Sequence, residues 1–382
     1  MKSRSSFVLV FTAVLVSGCS IFGADDELKP AKLEKIDQQV ELSRVWSAKT
    51  ASSNKNYWAN LQMAVSDKSL FTADHSGTVV ALDVQNGQKQ WSVDLDLPVS
   101  GGVGYGAQKL VLGTIEGQVY ALSAQDGSVL WSSAVSSEVI SSPSASKDIV
   151  VAQSIDNRLY AFDANTGEEL WQHDAGAPIL SVRGNSSSMI LNNRVISAFD
   201  NGKLIAFNAQ NGSLQWETRL ALPKGRTELE RMIDVDGQPI IVGDIIYSVS
   251  YQGRLGALTR GTGQNLWFQD SSSHFSPAYT EGKLFVTEAK NHAVRGFKAG
   301  NGQEVWNNDQ LEYRELNGPA VFGDSVVVAD AEGYLHLLDP ETGAFVGRTK
   351  VDGSGVSAPL LVVGEMLLVQ SNNGSVSAFK IQ

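Results

Sequence analysis

Residues 157–171 read NRLYAFDANTGEELW, in which a turn and an apolar strand precede a second turn at Thr166-Gly167 and then Trp171. This pattern of turn glycine and tryptophan recurs along the chain. Seven turn glycines keep its register: Gly87, Gly127, Gly167, Gly212, Gly263, Gly302 and Gly343. Successive copies open 40, 40, 45, 51, 39, 41 and 41 residues apart, which is the spacing of propellers and other repeat arrays.

Each copy has room for four short strands. Residues 148–153, just before the first quoted turn, form a β-branched run bounded by turn residues, which is the signature of a strand. Asn-Gly, Asp-Gly and Thr-Gly pairs between apolar runs indicate hairpins, because glycine adopts positive φ without a Cβ clash. Each repeat is therefore predicted to be a four-stranded antiparallel sheet.

Sheets of this size must stack to bury both faces, and radial stacking leaves no long free edges. An eighth copy opens at Gly374 and is cut short by the C-terminus, while a matching strand lies near residues 40–47, around Trp46. We therefore predict an all-β fold, an eight-bladed β-propeller of four-stranded antiparallel blades over residues 40–382. The N-terminal strand is expected to join the C-terminal blade and close the ring.

Small residues recur at one strand position of the repeats. We expect them where neighbouring blades approach closely, and we expect the tryptophans to fill the space between blades. The small residues are Ala81, Ala121, Ala161, Ala206, Ala257, Gly296 and Ala378.

Residues 1–18 have the features of a secretory signal, since Lys2 and Arg4 precede an apolar run at residues 7–16 that is too short to span a membrane. The Val-Ser-Gly-Cys sequence that follows resembles a bacterial lipobox, which implies that Cys19 is lipidated. An ordinary signal-peptide cysteine is the alternative. Cys19 is the only cysteine in 382 residues, so the chain has no disulfide framework.

Residues 19–39 are expected to form a lipid-anchored flexible tether, because acidic residues and Pro30 occur there with little periodicity. A short docked helix is the alternative, given the apolar Leu33 and Ile36. Ser20 after the cysteine resembles lipoproteins that are sorted to the outer membrane. The expected location is therefore the periplasmic face of the outer membrane.

The negative net charge of the chain argues against two classes of partner. Removing the signal takes away Lys2 and Arg4 and no acidic residue, so the mature charge is 28 minus 41, or −13. An acidic surplus disfavours nucleic acid and anionic lipid headgroups as partners.

The sequence offers no catalytic constellation. The five histidines have no metal-ligand spacing, and structural roles are favoured for them. The glycine-rich stretch at residues 101–106 is neither a nucleophile elbow nor a phosphate loop before a helix.

The Ala-x-Asp, Thr-Gly and Trp pattern resembles the repeat of pyrroloquinoline quinone dehydrogenases, which are also eight-bladed propellers. The resemblance makes a quinone-dependent dehydrogenase the alternative function, with a calcium-bound quinone and an adjacent-cysteine disulfide. This chain has one cysteine, and no acidic pair stands out at the repeat ends. The repeat indicates the fold more strongly than an activity, and we expect no cofactor.

Two crossovers between blades are long, after Trp171 and after Trp216, and they belong to consecutive blades. They should lie side by side on one face. Apolar and charged side chains together on such loops are typical of a protein-binding patch. A strand start and a solvated charged surface are the alternative. The candidate residues are Leu180, Val182 and Arg183 in the first crossover and Asp234 and Asp236 in the second.

Five features together resemble the BamB family, the lipoproteins of the outer-membrane β-barrel assembly machinery. They are the lipobox, the eight repeats, PILSVRG at 178–184, RTELERMIDVDGQP at 226–239 and EGYLH at 332–336. The resemblance implies that the five candidate residues contact the periplasmic POTRA domains of BamA, with Val182 in place of the usual leucine.

The resemblance also implies a non-enzymatic scaffold that assists the folding and insertion of β-barrel proteins. BamA, and through it the other lipoproteins of the complex, are the expected partners. Unfolded outer-membrane proteins are a further expected partner. The chain is expected to be a monomer within the complex.

Overall fold

The structure, a computed structural model, describes residues 29–50, 60–176, 186–221, 226–227 and 233–382. These residues form 33 β-strands, arranged in eight sheets that we number as blades along the chain. Blade 1 contains β3 (Ala64–Val65), β4 (Ser69–Ala73), β5 (Thr78–Asp83) and β6 (Lys89–Asp94). Blade 2 contains β7 (Val99–Gly106), β8 (Lys109–Thr114), β9 (Gln118–Ser123), β10 (Val129–Ala134) and the short β2 (Asn60–Leu61).

The next three blades each have four strands. Blade 3 contains β11 (Ser144–Ala145), β12 (Ile149–Gln153), β13 (Arg158–Asp163) and β14 (Glu169–Asp174). Blade 4 contains β15 (Met189–Leu191), β16 (Arg194–Ala198), β17 (Lys203–Asn208) and β18 (Leu214–Arg219). Blade 5 contains β19 (Ile240–Val242), β20 (Ile245–Val249), β21 (Arg254–Thr259) and β22 (Asn265–Asp270).

The last three blades complete the ring. Blade 6 contains β23 (Ala278–Thr280), β24 (Lys283–Thr287), β25 (Val294–Lys298) and β26 (Glu304–Asn308). Blade 7 contains β27 (Ala320–Phe322), β28 (Ser325–Ala329), β29 (Tyr334–Leu338) and β30 (Phe345–Lys350). Blade 8 contains β31 (Leu361–Val363), β32 (Met366–Gln370), β33 (Ser375–Ile381) and, from the other end of the chain, β1 (Leu42–Lys49).

The ring closes as predicted. β1 pairs antiparallel with β33 from Leu42 opposite Ile381 to Lys49 opposite Ser375. Eight apolar clusters lie between consecutive blades, and one of them joins blade 8 to blade 1 through Trp46 and Leu70. Because every blade buries apolar side chains against both neighbours, the prediction of an eight-bladed β-propeller is confirmed.

Blade 2 differs from the predicted four strands, because β2 adds a fifth strand, parallel to β7. β7 carries the glycine-rich stretch, and the structure explains one of its glycines. A Cβ atom on Gly104 would lie 1.9 Å from the carbonyl oxygen of Pro143, beside the first strand of blade 3. These inner strands therefore approach more closely than a side chain at Gly104 would permit.

In seven of the eight blades, the outer strand is fastened to the next blade by an indole ring. The Nε1–H of Trp171 donates to the carbonyl of Ala209 at 2.9 Å, and its ring lies 2.7 Å from where a Cβ on Gly212 would stand. We call this arrangement a tryptophan latch, and it confirms that the tryptophans fill the space between blades. The seven latches join Trp46 to Val84, Trp91 to Ala124, Trp131 to Ala164, Trp171 to Ala209, Trp216 to Arg260, Trp267 to Ala299 and Trp306 to Pro340.

The recurring small residues have a different role from the predicted one. Each is the cross-strand partner of the tryptophan in its own blade, as Ala161 is of Trp171. A Cβ on Gly296 would lie 2.5 Å from the indole of Trp306, its partner in blade 6. The small residues therefore make room for the ring within a blade rather than for the approach of a neighbouring blade.

The two ends of the blades form two faces of the ring. In four antiparallel strands the first and third turns lie at one end, and the second turn and the crossover lie at the other. We call the first end, with the Thr-Gly turns, the turn face, and the second the crossover face. On the crossover face, Ala175 in the first long crossover donates its N–H to the carbonyl of Asn157, between β12 and β13, at 3.1 Å.

Residues 31–40, which we call the strap, lie against blade 7. The strap begins at the crossover between β26 and β27. There the N–H of Ala31 donates to Glu312 at 2.9 Å, and the carbonyl of Ala31 accepts from Arg314 Nη1 at 2.8 Å. Residues 31–39 of the strap belong to the predicted tether, and they are docked without being helical. The tether stays a prediction for residues 19–28, which lie outside the described residues.

The other end of the strap pairs with the outer edge of β30. The N–H groups of Gln39 and Val40 both donate to the carbonyl of Val346, at 2.8 and 2.9 Å. Between the two ends, Arg348 Nη1 donates to the carbonyl of Glu34 at 2.7 Å. The strap therefore covers the strand edge beside blade 8.

The junction between blades 7 and 8, which we call the seam, has glycine at the tryptophan position. Gly347 is paired with Leu337, so the usual small and large partners are exchanged. A Cβ on Gly347 would lie 2.5 Å from the carbonyl oxygen of Val40. The strap therefore passes through space that a larger residue at position 347 would occupy.

A buried charged network holds the strap in place. Arg314, whose side chain is 3% exposed, bonds to Asp330 at 2.7 Å and to Glu332 at 2.6 Å. His336 Nε2 lies 3.0 Å from Asp330, and Arg348 donates to His336 Nδ1 at 3.1 Å. Because arginine can only donate, His336 accepts at Nδ1 and carries its proton on Nε2. Burial lowers the pKa of His336, and Asp330 only partly opposes that effect.

Candidate partner-binding site

The two long crossovers meet on the crossover face. Ser186, at the described end of the first crossover, donates its hydroxyl to the carbonyl of Gly237 in the second at 3.3 Å. At the start of the first crossover, Asn201 Nδ2 donates to the carbonyl of Ala175 at 2.7 Å. The described ends therefore lie side by side, as the order of the blades predicts.

Three of the predicted site residues belong to the first crossover. Leu180, Val182 and Arg183 lie in residues 177–185, outside the described residues, so their part in the site stays a prediction. Cys19, the predicted lipidation site, also lies outside the described residues.

Asp234 in the second crossover is fully buried. Its carbonyl accepts the N–H of Tyr251 at 2.7 Å, and its Oδ1 accepts the N–H of Val235 at 2.8 Å. Its Oδ2 is shielded from solvent, and its carboxyl group interacts with that of Asp236. In this conformation the side chain therefore helps to shape the crossover and is not exposed for contact with another protein.

The surroundings of the Asp234 carboxyl group favour its protonated form. Burial raises its pKa to about 11, and the nearby carboxylates of Asp236 and Asp200 add to the effect. A protonated carboxyl group avoids the cost of removing a charge from water, and it does not repel neighbouring carboxylates. Three acidic side chains can therefore lie close together. Ile233 and Val235 on either side of Asp234 are also buried, and the backbone of Asp234 bridges to Tyr251 in blade 5.

Asp236 lies nearer the surface and pairs with a histidine. Its Oδ2 lies 2.7 Å from His274 Nδ1, and the two side chains are 12% and 33% exposed respectively. The imidazole of His274 stacks on Tyr251, with ring centroids 4.2 Å apart. Asp236, His274 and Tyr251 thus form a polar and aromatic cluster beside the second long crossover.

The sequence did not identify His274 and Tyr251 as site residues. His274 follows Trp267 in the next crossover, and Tyr251 lies in the turn before Gly253. Both positions lie on the crossover face of blade 5, so the repeat register contained a signal for them. Recognising it required knowing which turns and crossovers share a face.

Two kinds of site are absent from the residues that the structure describes. Within them, no group of three or more His, Cys, Asp or Glu side chains is placed to hold a metal ion. No helix in the same residues has the length and apolar character needed to cross a bilayer.

Known proteins resemble this chain over nearly its whole length. The family model described as outer membrane protein assembly factor BamB matches residues 75–307 and 290–382. The protein of that name from Pseudomonas aeruginosa is 47% identical over 374 residues, which cover 98% of both chains. The one from Escherichia coli K12 is 32% identical over 378 residues, covering 96% of each.

Solved structures agree with these sequence matches. The crystal structure of BamB from Moraxella catarrhalis has a TM-score of 0.81 and 26% identity, covering 89% of this chain and 100% of that one. A europium-containing methanol dehydrogenase has a TM-score of 0.71, covering 89% and 93%, and its 13% identity supports a shared fold alone. The family model and the relatives together show that this chain belongs to the BamB family of outer membrane protein assembly factors.

Proposed function

We propose that this chain is a non-enzymatic scaffold that docks on BamA at the outer membrane and assists the assembly of β-barrel proteins. Lipidation at Cys19 would hold it on the periplasmic face. The binding site comprises Leu180, Val182 and Arg183 together with Asp236, while Asp234 fixes the shape of the second crossover. Other lipoproteins of the complex would be reached through BamA, and unfolded outer-membrane proteins are further candidate partners.

The observation that carries this proposal is the meeting of the two long crossovers on one face, next to the Asp236 and His274 pair. A partly buried, hydrogen-bonded polar pair at the rim of such a surface gives orientation and specificity to a protein partner. Apolar residues beside it supply buried contact area, which is the usual composition of a binding hot spot. The names of the relatives make an assembly complex the setting for that partner.

Co-purification with BamA from solubilised outer membranes tests the site. Arg183→Glu should lose most of the BamA signal, because disrupting a buried interfacial charge costs about 2 to 5 kcal/mol of binding. Asp236→Asn, which keeps the size and a hydrogen bond to His274, should weaken BamA recovery less. Thermal unfolding of both variants should stay near that of the parent protein.

Asp244→Asn is the matched control for the second variant. Asp244 belongs to the same blade, its side chain is 90% exposed, and it pairs with Arg260 beside the Thr-Gly turn on the turn face. Its recovery of BamA should equal that of the parent. Equal recovery for Arg183→Glu and the parent would remove the site assignment.

A further inference from the structure

The strand that closes the ring begins at the turn face. β33 starts after the crossover-face turn at Gly374 and therefore ends at the turn face, at Ile381. Leu42, the first residue of β1, pairs with Ile381. A chain that entered β1 directly from a free tether would thus leave the ring at the turn face.

The strap reverses this direction. From its contact with Val346, near the turn-face end of β30, it runs back to Arg314 and Glu312 on the crossover face. Ten extended residues span about 33 Å, which is longer than a six-residue strand of about 20 Å. The segment that precedes Ala31 therefore leaves the ring on the crossover face.

We propose that the strap sets which face of the propeller is held toward the membrane, and that this is the crossover face. Arg314 and Arg348 are the positioning residues, because each holds a backbone carbonyl of the strap, at 2.8 and 2.7 Å. The proposal rests on the anchor at Cys19 that belongs to the proposed function. Beyond that function, it specifies how the ring is oriented and where a bound partner lies relative to the membrane.

Because the tether is short, the face on which the strap ends determines which face of the ring lies toward the membrane. Ala31 lies twelve positions after Cys19 (31 minus 19). A flexible chain of that length has a root-mean-square span of about 20 Å and reaches about 40 Å when fully extended. These spans are similar to the thickness of a blade, so an anchor that leaves one face seldom reaches around to the other.

The position of the candidate site follows from this orientation. Asp236 and His274 lie in crossovers, on the same face as the strap exit at Ala31. A partner bound there would lie between the ring and the bilayer. Such a partner is a folded domain close to the membrane surface, rather than a chain approaching from the interior of the compartment.

The orientation can be measured without any partner. The lipidated protein is reconstituted in phosphatidylcholine vesicles that carry a headgroup quencher, and one fluorophore is attached to an engineered cysteine. Lys290→Cys labels the crossover face and Gly300→Cys labels the turn face, at opposite ends of β25; a Cβ at Gly300 meets nothing within 4 Å. Because β25 is about 17 Å long, we expect quenching at position 290 to exceed that at 300 by at least about twofold.

Replacement of residues 31–38 by a Gly-Ser segment of equal length should abolish or invert this ratio, since the chain would then leave from β1 at the turn face. Arg314→Met should shift the ratio in the same direction. Equal quenching of both labels with the native strap, or an unchanged ratio after strap replacement, would overturn the proposal.

A second arm separates this proposal from the anchor assignment. A hexahistidine tag that replaces residues 1–19 holds the chain from Ser20 onward on nickel-chelating lipids, so this arm does not depend on lipidation of Cys19. The same quenching ratio should appear in this arm. A ratio near one on nickel lipids contradicts the orientation even where lipidation and BamA binding are intact.

Discussion

The seven tryptophan latches and the seam between blades 7 and 8 solve the same packing problem in opposite ways. In a latch, a large ring from one blade covers a turn glycine of the next, and a small residue lies opposite the ring. At the seam, Gly347 occupies the tryptophan position and Leu337 occupies the small-residue position, and the strap fills the space that the indole would take. The latches stabilise the ring. The seam instead positions the strap, which we propose determines the face of the ring that lies toward the membrane.

The largest effect is expected from removing one latch. Trp171 is 8% exposed and donates a hydrogen bond to Ala209, so Trp171→Ala should reduce the free energy of unfolding by about 3 to 5 kcal/mol. Urea unfolding followed by circular dichroism measures this. Leu170→Ala is the control, because Leu170 is 46% exposed and surface changes usually stay within about 0.5 kcal/mol. A loss below 1 kcal/mol for Trp171→Ala would show that latches are not the main fastening.

A smaller effect is expected from crowding the seam. Gly347→Ala places a Cβ 2.5 Å from the carbonyl oxygen of Val40, so the strap must shift at a cost of about 1 to 3 kcal/mol. Gly353→Ala is the control, since a Cβ there meets nothing within 4 Å. Hydrogen exchange should show faster exchange at the amides of Gln39 and Val40 in the first variant only. Unchanged exchange there would mean that the strap does not depend on the glycine.

The smallest expected effect is a decrease in the free energy of unfolding at acid pH that comes from the seam and not from the latches. The pKa of His336 is lowered in the folded protein by burial, so the stability that comes from its neutral form is complete above the unfolded value of about 6.5 and is lost as the pH falls below it. The loss is at most about 1.4 kcal/mol per pH unit. Urea unfolding at pH 7 and pH 5 should show a smaller acid loss in His336→Gln than in the parent. The Trp131 latch packs on Phe162 and has no titratable side chain of its own, so Trp131→Ala should leave this difference unchanged.

The sequence predicted the ring because its repeat fixes the register of every blade. Glycine and tryptophan recur four residues apart, and the geometry of a hairpin then dictates strand count, closure and the filling of the gaps. The exchange of Leu337 and Gly347 was also visible in the repeat, as a missing tryptophan. Its meaning was not, because the strap that fills the gap lies about 300 residues away along the chain.

The site was predicted less completely than the fold. The side-by-side crossovers followed from blade order, but burial within a crossover depends on contacts with other blades. Asp234 was expected as a contact residue and is instead fully buried, since its backbone bridges to Tyr251. His274 belongs to the site because it bonds to Asp236, which lies 38 residues away along the chain. The sequence alone does not reveal this contact.

The pairing of β1 with β33 joins the two ends of the chain, from Leu42 to Ile381. Blade 8 can therefore form only when these two distant parts of the chain come together. Without β33, β1 would have no partner and the ring would be open beside blade 1, so one strand pairing acts as the clasp of the whole circle.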